Sequence, residues 1–163
     1  MLRDRNLIPL SHQHQHALAL CVRLDRSLKS GAQAPAELET WQAEIEQLFH
    51  SEIRYHFEAE EKVLFPAARR QGGLRVLVDE LLAEHVRLRA LAQRATLRSL
   101  DAAGLQQFAG MLSAHIRKEE RQLFEQCQAL LPAGEMERLG AALEECFKGS
   151  GMPGASCALR PES

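Results

Sequence analysis

The chain has 163 residues, a length typical of one domain, with 45% hydrophobic and 26% charged residues. This composition excludes an intrinsically disordered chain, and 5% aromatic residues with few β-branched ones argue against a sheet protein. A net charge of −2 gives no electrostatic reason to expect nucleic acid or an anionic membrane surface as a partner.

The first two predicted helices are separated by a short loop. The first helix is expected over residues 11–30, with Ser11 as its N-cap and Gly31 as the stop. The second should begin after Pro35 and run to about Arg70. Pro66 should kink or end it, because proline lacks a backbone N–H and its ring clashes with the preceding turn.

Two more long helices and a short one follow. The third helix is predicted over residues 74–97, and the fourth, capped by Ser99 or Asp101, should continue to about Leu130. A short fifth helix is predicted over residues 134–147.

These elements predict an all-α fold, an up-down-up-down antiparallel four-helix bundle with a short C-terminal fifth helix, because long helices joined by short loops pack antiparallel. We expect one domain over residues 1–147 and a flexible C-terminal tail over 148–163, which carries Cys157.

Apolar residues recur at alternating steps of three and four in each long helix, which predicts one buried face per helix. The predicted core positions are Leu10, His14, Ala17, Cys21, Leu24 and Leu28; Phe49, Ile53, His56, Glu60 and Val63; Leu74, Val78, Leu81, His85, Leu88 and Ala92; and Leu105, Phe108, Leu112, His115, Glu119, Gln122 and Gln126.

Each predicted core face carries a histidine, and two also carry a glutamate four residues later. His56 with Glu60 and His115 with Glu119 lie in two similar segments, both of the pattern HxxxEExxLF. Residues four apart share one helix face. A buried carboxylate must be neutralised, paired or bound to metal, and no lysine or arginine lies on these faces.

Two divalent cations would satisfy all six groups together. Each cation would take two histidine nitrogens, and the two glutamates would bridge the pair. Imidazole and carboxylate ligands without thiolates favour iron, with manganese or zinc less expected. We therefore predict two iron ions as cofactors.

The pattern of a lone histidine alternating with HxxxE, with Leu-Phe after the acidic pair, resembles the hemerythrin-like HHE cation-binding domain family over roughly residues 7–130. The resemblance implies a non-haem di-iron centre that binds dioxygen, nitric oxide or a related oxidant. The residues that match the family's metal ligands are His14, His56, Glu60, His85, His115 and Glu119.

One departure from the family concerns Arg89. Oxygen-carrying hemerythrins have a fifth histidine one turn after the third-helix ligand, and this chain has Arg89 there. That difference argues against simple oxygen storage. The first-helix ligand also stays open: His14 fits the apolar face, whereas His12 and His16 point away from it.

Several other polar residues have weaker patterns. We expect His12, His16 and His50 at the surface or beside the ligands. Glu61 and Glu120 should be solvated or in surface pairs, although hydrogen bonds to ligand histidines are an alternative.

The functional prediction is a binding protein for sensing, scavenging or iron handling. The alternative is a redox enzyme or an iron donor that repairs oxidatively or nitrosatively damaged iron centres. Whether the chain is an enzyme stays open, as does its oligomeric state. A small diatomic molecule is the expected partner, and the absence of an apolar leader pattern suggests a cytoplasmic location.

Overall fold

The computed structural model describes residues 2–149, and every regular element in that range is helical. We number five helices in chain order. Their bounds are Ile8–Lys29 for α1, residues 35–69 for α2, Arg75–Thr96 for α3, residues 102–130 for α4 and Ala133–Gly149 for α5. The all-helical prediction is confirmed for the described residues.

Two of these helices are not regular throughout. In α2, π-helical turns interrupt the α-helix twice, and in α4 they interrupt it once. A π-helical turn closes each hydrogen bond over five residues and so inserts one extra residue into the helix. The π-helical segments are Phe49–Ile53 and Glu60–Leu64 in α2 and Glu119–Leu123 in α4.

The predicted C-terminal end of α1 is right, and the predicted N-terminal end is wrong. The helix begins at Ile8 with Pro9 in its first turn, so Ser11 lies inside the helix and is not its N-cap. Proline favours this position because its fixed φ suits the first turn. At the other end Gly31 has a φ of 88°, a left-handed conformation that ends the helix as predicted.

The other helix boundaries lie close to their predicted residues. Asp101 caps α4 by accepting a hydrogen bond of 2.8 Å from the backbone N–H of Gly104. Pro66 does not end α2, which passes it and ends at Arg69, because Pro66 lies in the first turn of the α-helical segment that follows the π-helical turn, a position where proline is favoured. The fifth helix has 17 residues and is longer than predicted.

The helix α5 also passes the predicted start of the tail. Lys148 and Gly149 are its last two residues. The rest of the predicted tail, including Cys157, lies outside the described residues.

Polar contacts show which helices are neighbours. The guanidinium of Arg23 on α1 lies 2.7 Å from Glu44 on α2, and Asp25 on α1 accepts a 2.7 Å hydrogen bond from Gln106 on α4. Backbone contacts connect α2 with α3 and α3 with α4, while α5 packs on the middle of α2. The first four helices therefore surround a shared interior.

That interior contains two apolar clusters. One includes Leu10, Leu64, Leu81 and Leu123, and it extends under α5. The other holds Ala17, Phe57, Leu88 and Leu112 among its members. Residues from all four long helices contribute to both clusters, so the interior is apolar on each side of a middle layer.

The predicted core positions of α1 and α3 are all buried. In α4 the prediction fails after Glu119, because Gln122 and Gln126 are exposed and Leu123, Phe124 and Cys127 are buried instead. In α2 Phe49 and Val63 are only half-buried, while Leu64 is fully buried. The failures at Gln122, Gln126 and Val63 have one cause: the extra residue of the π-helical turn advances the buried face by one position.

Candidate metal centre

A layer of six polar side chains separates the two apolar clusters. Each is at most 4% exposed, and both glutamates are completely buried. The six residues are His14, His56, Glu60, His85, His115 and Glu119. All six predicted ligands are therefore brought together, although their role as metal ligands stays a prediction.

The four imidazoles form two facing pairs. The Nε2 atoms of His14 and His56 lie 2.9 Å apart, and those of His85 and His115 lie 3.1 Å apart. We call the space at the first pair site 1 and the space at the second pair site 2. Each pair joins one histidine from a regular helix to one from an HxxxE segment.

Each buried glutamate offers one oxygen to each site. At site 1, Glu60 Oε1 lies 3.1 Å from His56 Nε2, and Glu119 Oε2 lies 3.1 Å from His14 Nε2. At site 2, Glu60 Oε2 and Glu119 Oε1 lie 3.4 Å and 3.2 Å from the imidazoles of His85 and His115. Each site thus presents two nitrogens and two oxygens, all within 4.8 Å of one another.

The four carboxylate oxygens of Glu60 and Glu119 accept no well-formed hydrogen bond from any described residue. Burying one carboxylate without a partner lowers the free energy of unfolding by several kcal/mol. Two such groups together would cost about as much as the whole free energy of unfolding of a domain. The imidazole nitrogens that face these oxygens can hold protons or cations. No lysine or arginine belongs to the layer, so the positive charge that compensates Glu60 and Glu119 has to come from protons or cations held at the imidazoles.

The outer nitrogen of each imidazole has an acceptor of its own. His14 Nδ1 and His85 Nδ1 donate to Glu120 and Glu61, at 2.7 and 2.8 Å. A carboxylate can only accept, so Nδ1 carries a proton and Nε2 faces the site, where it can hold a second proton or a cation.

The two remaining imidazoles use residues that sequence reasoning missed. His115 Nδ1 donates to Glu84 at 2.8 Å, and His56 Nδ1 donates to the amide oxygen of Gln13 at 2.6 Å. Both acceptors directly precede a lone histidine in the sequence, but each serves a histidine of a neighbouring helix. No local spacing reveals such a contact.

The repeated HxxxEExxLF pattern now has a physical explanation. Its histidine and first glutamate face the sites, while its second glutamate accepts from the lone histidine of the adjacent helix. Its phenylalanine packs on that same imidazole. The ring centroids of Phe124 and His14 are 5.5 Å apart, and those of Phe65 and His85 are 5.3 Å apart. Each repeat thus provides two of the predicted ligands and fixes the orientation of a third.

The interpretation of Glu61 and Glu120 as solvated residues or members of surface pairs is therefore wrong, and the alternative, a hydrogen bond to a buried histidine, is right. In contrast, His12, His16 and His50 are exposed, as expected. Of the three histidines in the first helix, only His14 reaches the buried layer, which favours it as the predicted ligand.

Electrostatics agree with the geometry. Burial disfavours a protonated imidazole, but the negative charges of Glu119 and Glu60 and the hydrogen bond to Glu120 outweigh it and raise the pKa of His14 to about 9. The pKa of His115 is raised to about 10, because Glu119 outweighs burial there too. Burial raises the pKa of Glu119, yet His115 and His14 hold it well below its ordinary value. The buried carboxylates therefore stay ionised and attract cations.

Arg89 occupies the place where oxygen-carrying hemerythrins have a fifth histidine. Its guanidinium donates to Glu61 at 2.7 Å and lies over the ring of Phe57, 5.5 Å from the centroid. It contacts the acceptor of His85 and offers no ligand atom itself. Site 2 is thus left with two histidines, like site 1.

A short segment before α1 contacts this layer. Arg3 donates to the carboxylate of Glu120 at 2.6 Å and to its backbone carbonyl at 2.8 Å. Asn6 lies so close to Gly140 on α5 that a Cβ there would be 2.1 Å from its Oδ1. The segment therefore connects α5 to the acceptor that orients His14.

A small cavity adjoins site 1. The side chains of Ala17, Ile53, Leu112 and Ile116 make most of its wall apolar, and Gln13 and Glu52 are its outer polar residues. Phe57 and the imidazoles of His14, His56 and His115 complete its lining. Such a cavity suits a small, weakly polar molecule better than a charged one.

None of the helices in residues 2–149 is long and apolar enough to cross a lipid bilayer. Searches of curated proteins and of solved structures found no match. The model of one family, described as the hemerythrin HHE cation-binding domain, matches residues 9–127. That range includes all six buried polar residues of the layer and most of the chain, so the chain belongs to the hemerythrin HHE cation-binding domain family.

Proposed function

We propose that this chain binds two iron ions, one at each site, and uses them to bind dioxygen, nitric oxide or a related oxidant. One observation carries this proposal: four buried carboxylate oxygens have no hydrogen-bond partner and face four imidazoles whose outer nitrogens already donate. Family membership supports cation binding, and the donor set supports the choice of iron over zinc.

The ligand count leaves room for a small molecule. Each site has about four protein ligand atoms, whereas iron favours about six. Bound iron would supply open coordination positions for a diatomic ligand. The chain itself would hold the ions together through Glu60 and Glu119 and provide the apolar cavity beside site 1.

Metal analysis combined with visible absorption tests the proposal. Protein purified without oxygen should contain about two iron ions per chain and develop a charge-transfer band on exposure to air. The same protein stripped by a chelator is the control and should stay colourless. Protein that contains zinc and has no band would contradict the proposal.

The second candidate is a redox enzyme or an iron donor, favoured by one observation. Arg89 replaces the additional histidine that oxygen carriers have, so site 2 holds its ion with one ligand fewer. A reversible binding protein should keep its iron during dialysis against a weak chelator, and its band should disappear when oxygen is removed. An iron donor should lose iron in the same dialysis.

We also propose that α1 to α4 form an up-down-up-down antiparallel bundle with α5 packed beside it. Contacts support this order, since Arg23 meets Glu44 near the end of α1 and His16 meets Glu52 nearer its start. The cytoplasmic location, and the absence of nucleic acid and membrane partners, stay proposals from the sequence. Fractionation of the producing cells would test the location.

A further inference from the structure

The acceptors behind the four imidazoles follow a twofold pattern that is broken at one residue. Each lone histidine donates to the second glutamate of a repeat, His14 to Glu120 and His85 to Glu61. Each repeat histidine donates to the residue directly before a lone histidine. At site 2 that residue is a glutamate, and at site 1 it is Gln13.

This difference gives the two sites unequal hydrogen-bond acceptors. Both histidines of site 2 donate to carboxylates, those of Glu61 and Glu84, which are held in turn by Arg89 and Lys118. At site 1 only His14 donates to a carboxylate, and His56 donates to a neutral amide.

A hydrogen bond to a carboxylate is about twice as strong as one between neutral groups. It also draws the Nδ1 proton away and makes the opposite nitrogen a stronger metal ligand. His56 therefore has the weakest support of the four imidazoles. The shared glutamates do not compensate, because each gives one oxygen to each site.

We propose that the two sites are unequal: site 2 fills first and binds its cation more tightly, and the pair Gln13 and Glu84 sets the difference. This inference rests on the proposed function, since it requires two bound cations. Both residues act as positioning residues for the imidazoles and do not touch the metal.

Titration calorimetry of the metal-free protein with Co²⁺ tests this order. All proteins carry His12→Gln, because His12 and His16 lie four residues apart on an exposed helix face and can chelate a third cation. The starting protein should bind two cations in two separate steps.

Two opposite substitutions identify which site belongs to which step. Glu84→Gln should weaken the tighter step by about 10-fold, because changes in the partners of ligand histidines typically cost 10–100-fold in affinity. Gln13→Glu should strengthen the weaker step by a similar factor. The double variant should restore two well-separated steps, with site 1 now the tighter.

A matched control is Glu58→Gln, which removes the same charge from an exposed position of α2 where Glu58 pairs with Lys62. Both steps should be unchanged in this variant. Circular dichroism of each metal-free variant checks the fold, and Gln13→Glu, which adds an acceptor rather than removing one, keeps the test valid if Glu84→Gln unfolds.

The outcomes separate the inference from the proposed function. If Glu84→Gln weakens only the second step, or Gln13→Glu changes neither, site 2 is not the first to fill and the inference is wrong while two-cation binding stands. If the starting protein binds fewer than two cations, the proposed function itself fails, and the inference fails with it.

Discussion

The four long helices fall into two kinds that differ where they meet the polar layer. The helices α1 and α3 carry one buried histidine each and are regular α-helices from end to end. The helices α2 and α4 carry a histidine and a glutamate, and in both a π-helical segment begins at that glutamate. A buried carboxylate and an inserted residue thus occur together twice.

The coincidence has a physical reason, which applies to these two segments and not to Phe49–Ile53. A glutamate that serves two sites must place both oxygens in the interior, with no hydrogen bond to compensate. A π-helical turn is less favourable than an α-helical one, so it persists where the surroundings require it. Helices that provide only an imidazole have no such requirement.

The two kinds of helix should differ most in their response to the deletion of one exposed residue, Arg87 in α3 or Gln122 in α4. Without Arg87, the following residues of α3 rotate by about 100°, which moves Leu88 and Leu91 out of the core. Each displaced leucine costs about 2–5 kcal/mol, so this variant should not fold.

Without Gln122, α4 should lose its π-helical turn and become regular. The residues Leu123, Phe124 and Cys127 then stand three, four and seven positions after Glu119, which is the same helix face. The free energy of unfolding of the metal-free protein, measured with urea, should change by about 1–2 kcal/mol at most. Equal losses in the two deletion variants would break the comparison.

Alanine substitutions should distinguish bridging residues from those that serve one site. Either Glu60→Ala or Glu119→Ala should reduce bound iron to below about one ion per chain, because each carboxylate serves both sites. The variants His14→Ala and His85→Ala should keep about one. Metal analysis measures this, with Glu58→Ala as the control that keeps two; full iron content in both glutamate variants would show that the wrong carboxylates were chosen.

Removal of the cations should destabilise both kinds of helix together. A ligand at 100 times its dissociation constant stabilises the native state by about 2.7 kcal/mol, so each cation removed should cost about that amount. For a chain of this size, that corresponds to a fall in Tm of about 5–10 °C per cation. An unchanged melting curve, with metal loss shown by analysis, would argue against the sites.

The smallest effect should come from His16→Ala on the outside of α1. His16 is 64% exposed and lies 3.0 Å from Glu52, and exposed ion pairs contribute about 1 kcal/mol or less. Both cations should be kept, in contrast to His14→Ala. If His16→Ala lost more iron than His14→Ala, the first-helix ligand would have to be reassigned.

The sequence predicted the helices and the six buried polar residues because both follow from short-range spacing. The faces of α1 and α3 were right throughout, since nothing interrupts a regular period of 3.6 residues. In α4 the prediction fails after Glu119, because a π-helical turn leaves no mark on periodicity until the buried face has already moved. Gln122 was then placed in the core although it is exposed.

The acceptors behind the imidazoles were harder to predict for a different reason. Glu61 and Glu120 stand next to the bridging glutamates, so the doubled acidic pair in the motif was a usable signal. Gln13 and Glu84 contact histidines of other helices, and that pairing depends on how the helices are rotated against one another. Sequence spacing within one helix carries no information on it.

The segment before α1 has a practical consequence for anyone who handles this protein. Arg3 neutralises Glu120, and Asn6 fills the space over Gly140, so these few residues join the outer helix to an imidazole of the buried layer. Replacing Arg3 or Asn6 would disturb that connection from outside the bundle. Iron content measured on such a variant would then report how far His14 depends on residues that precede the first helix.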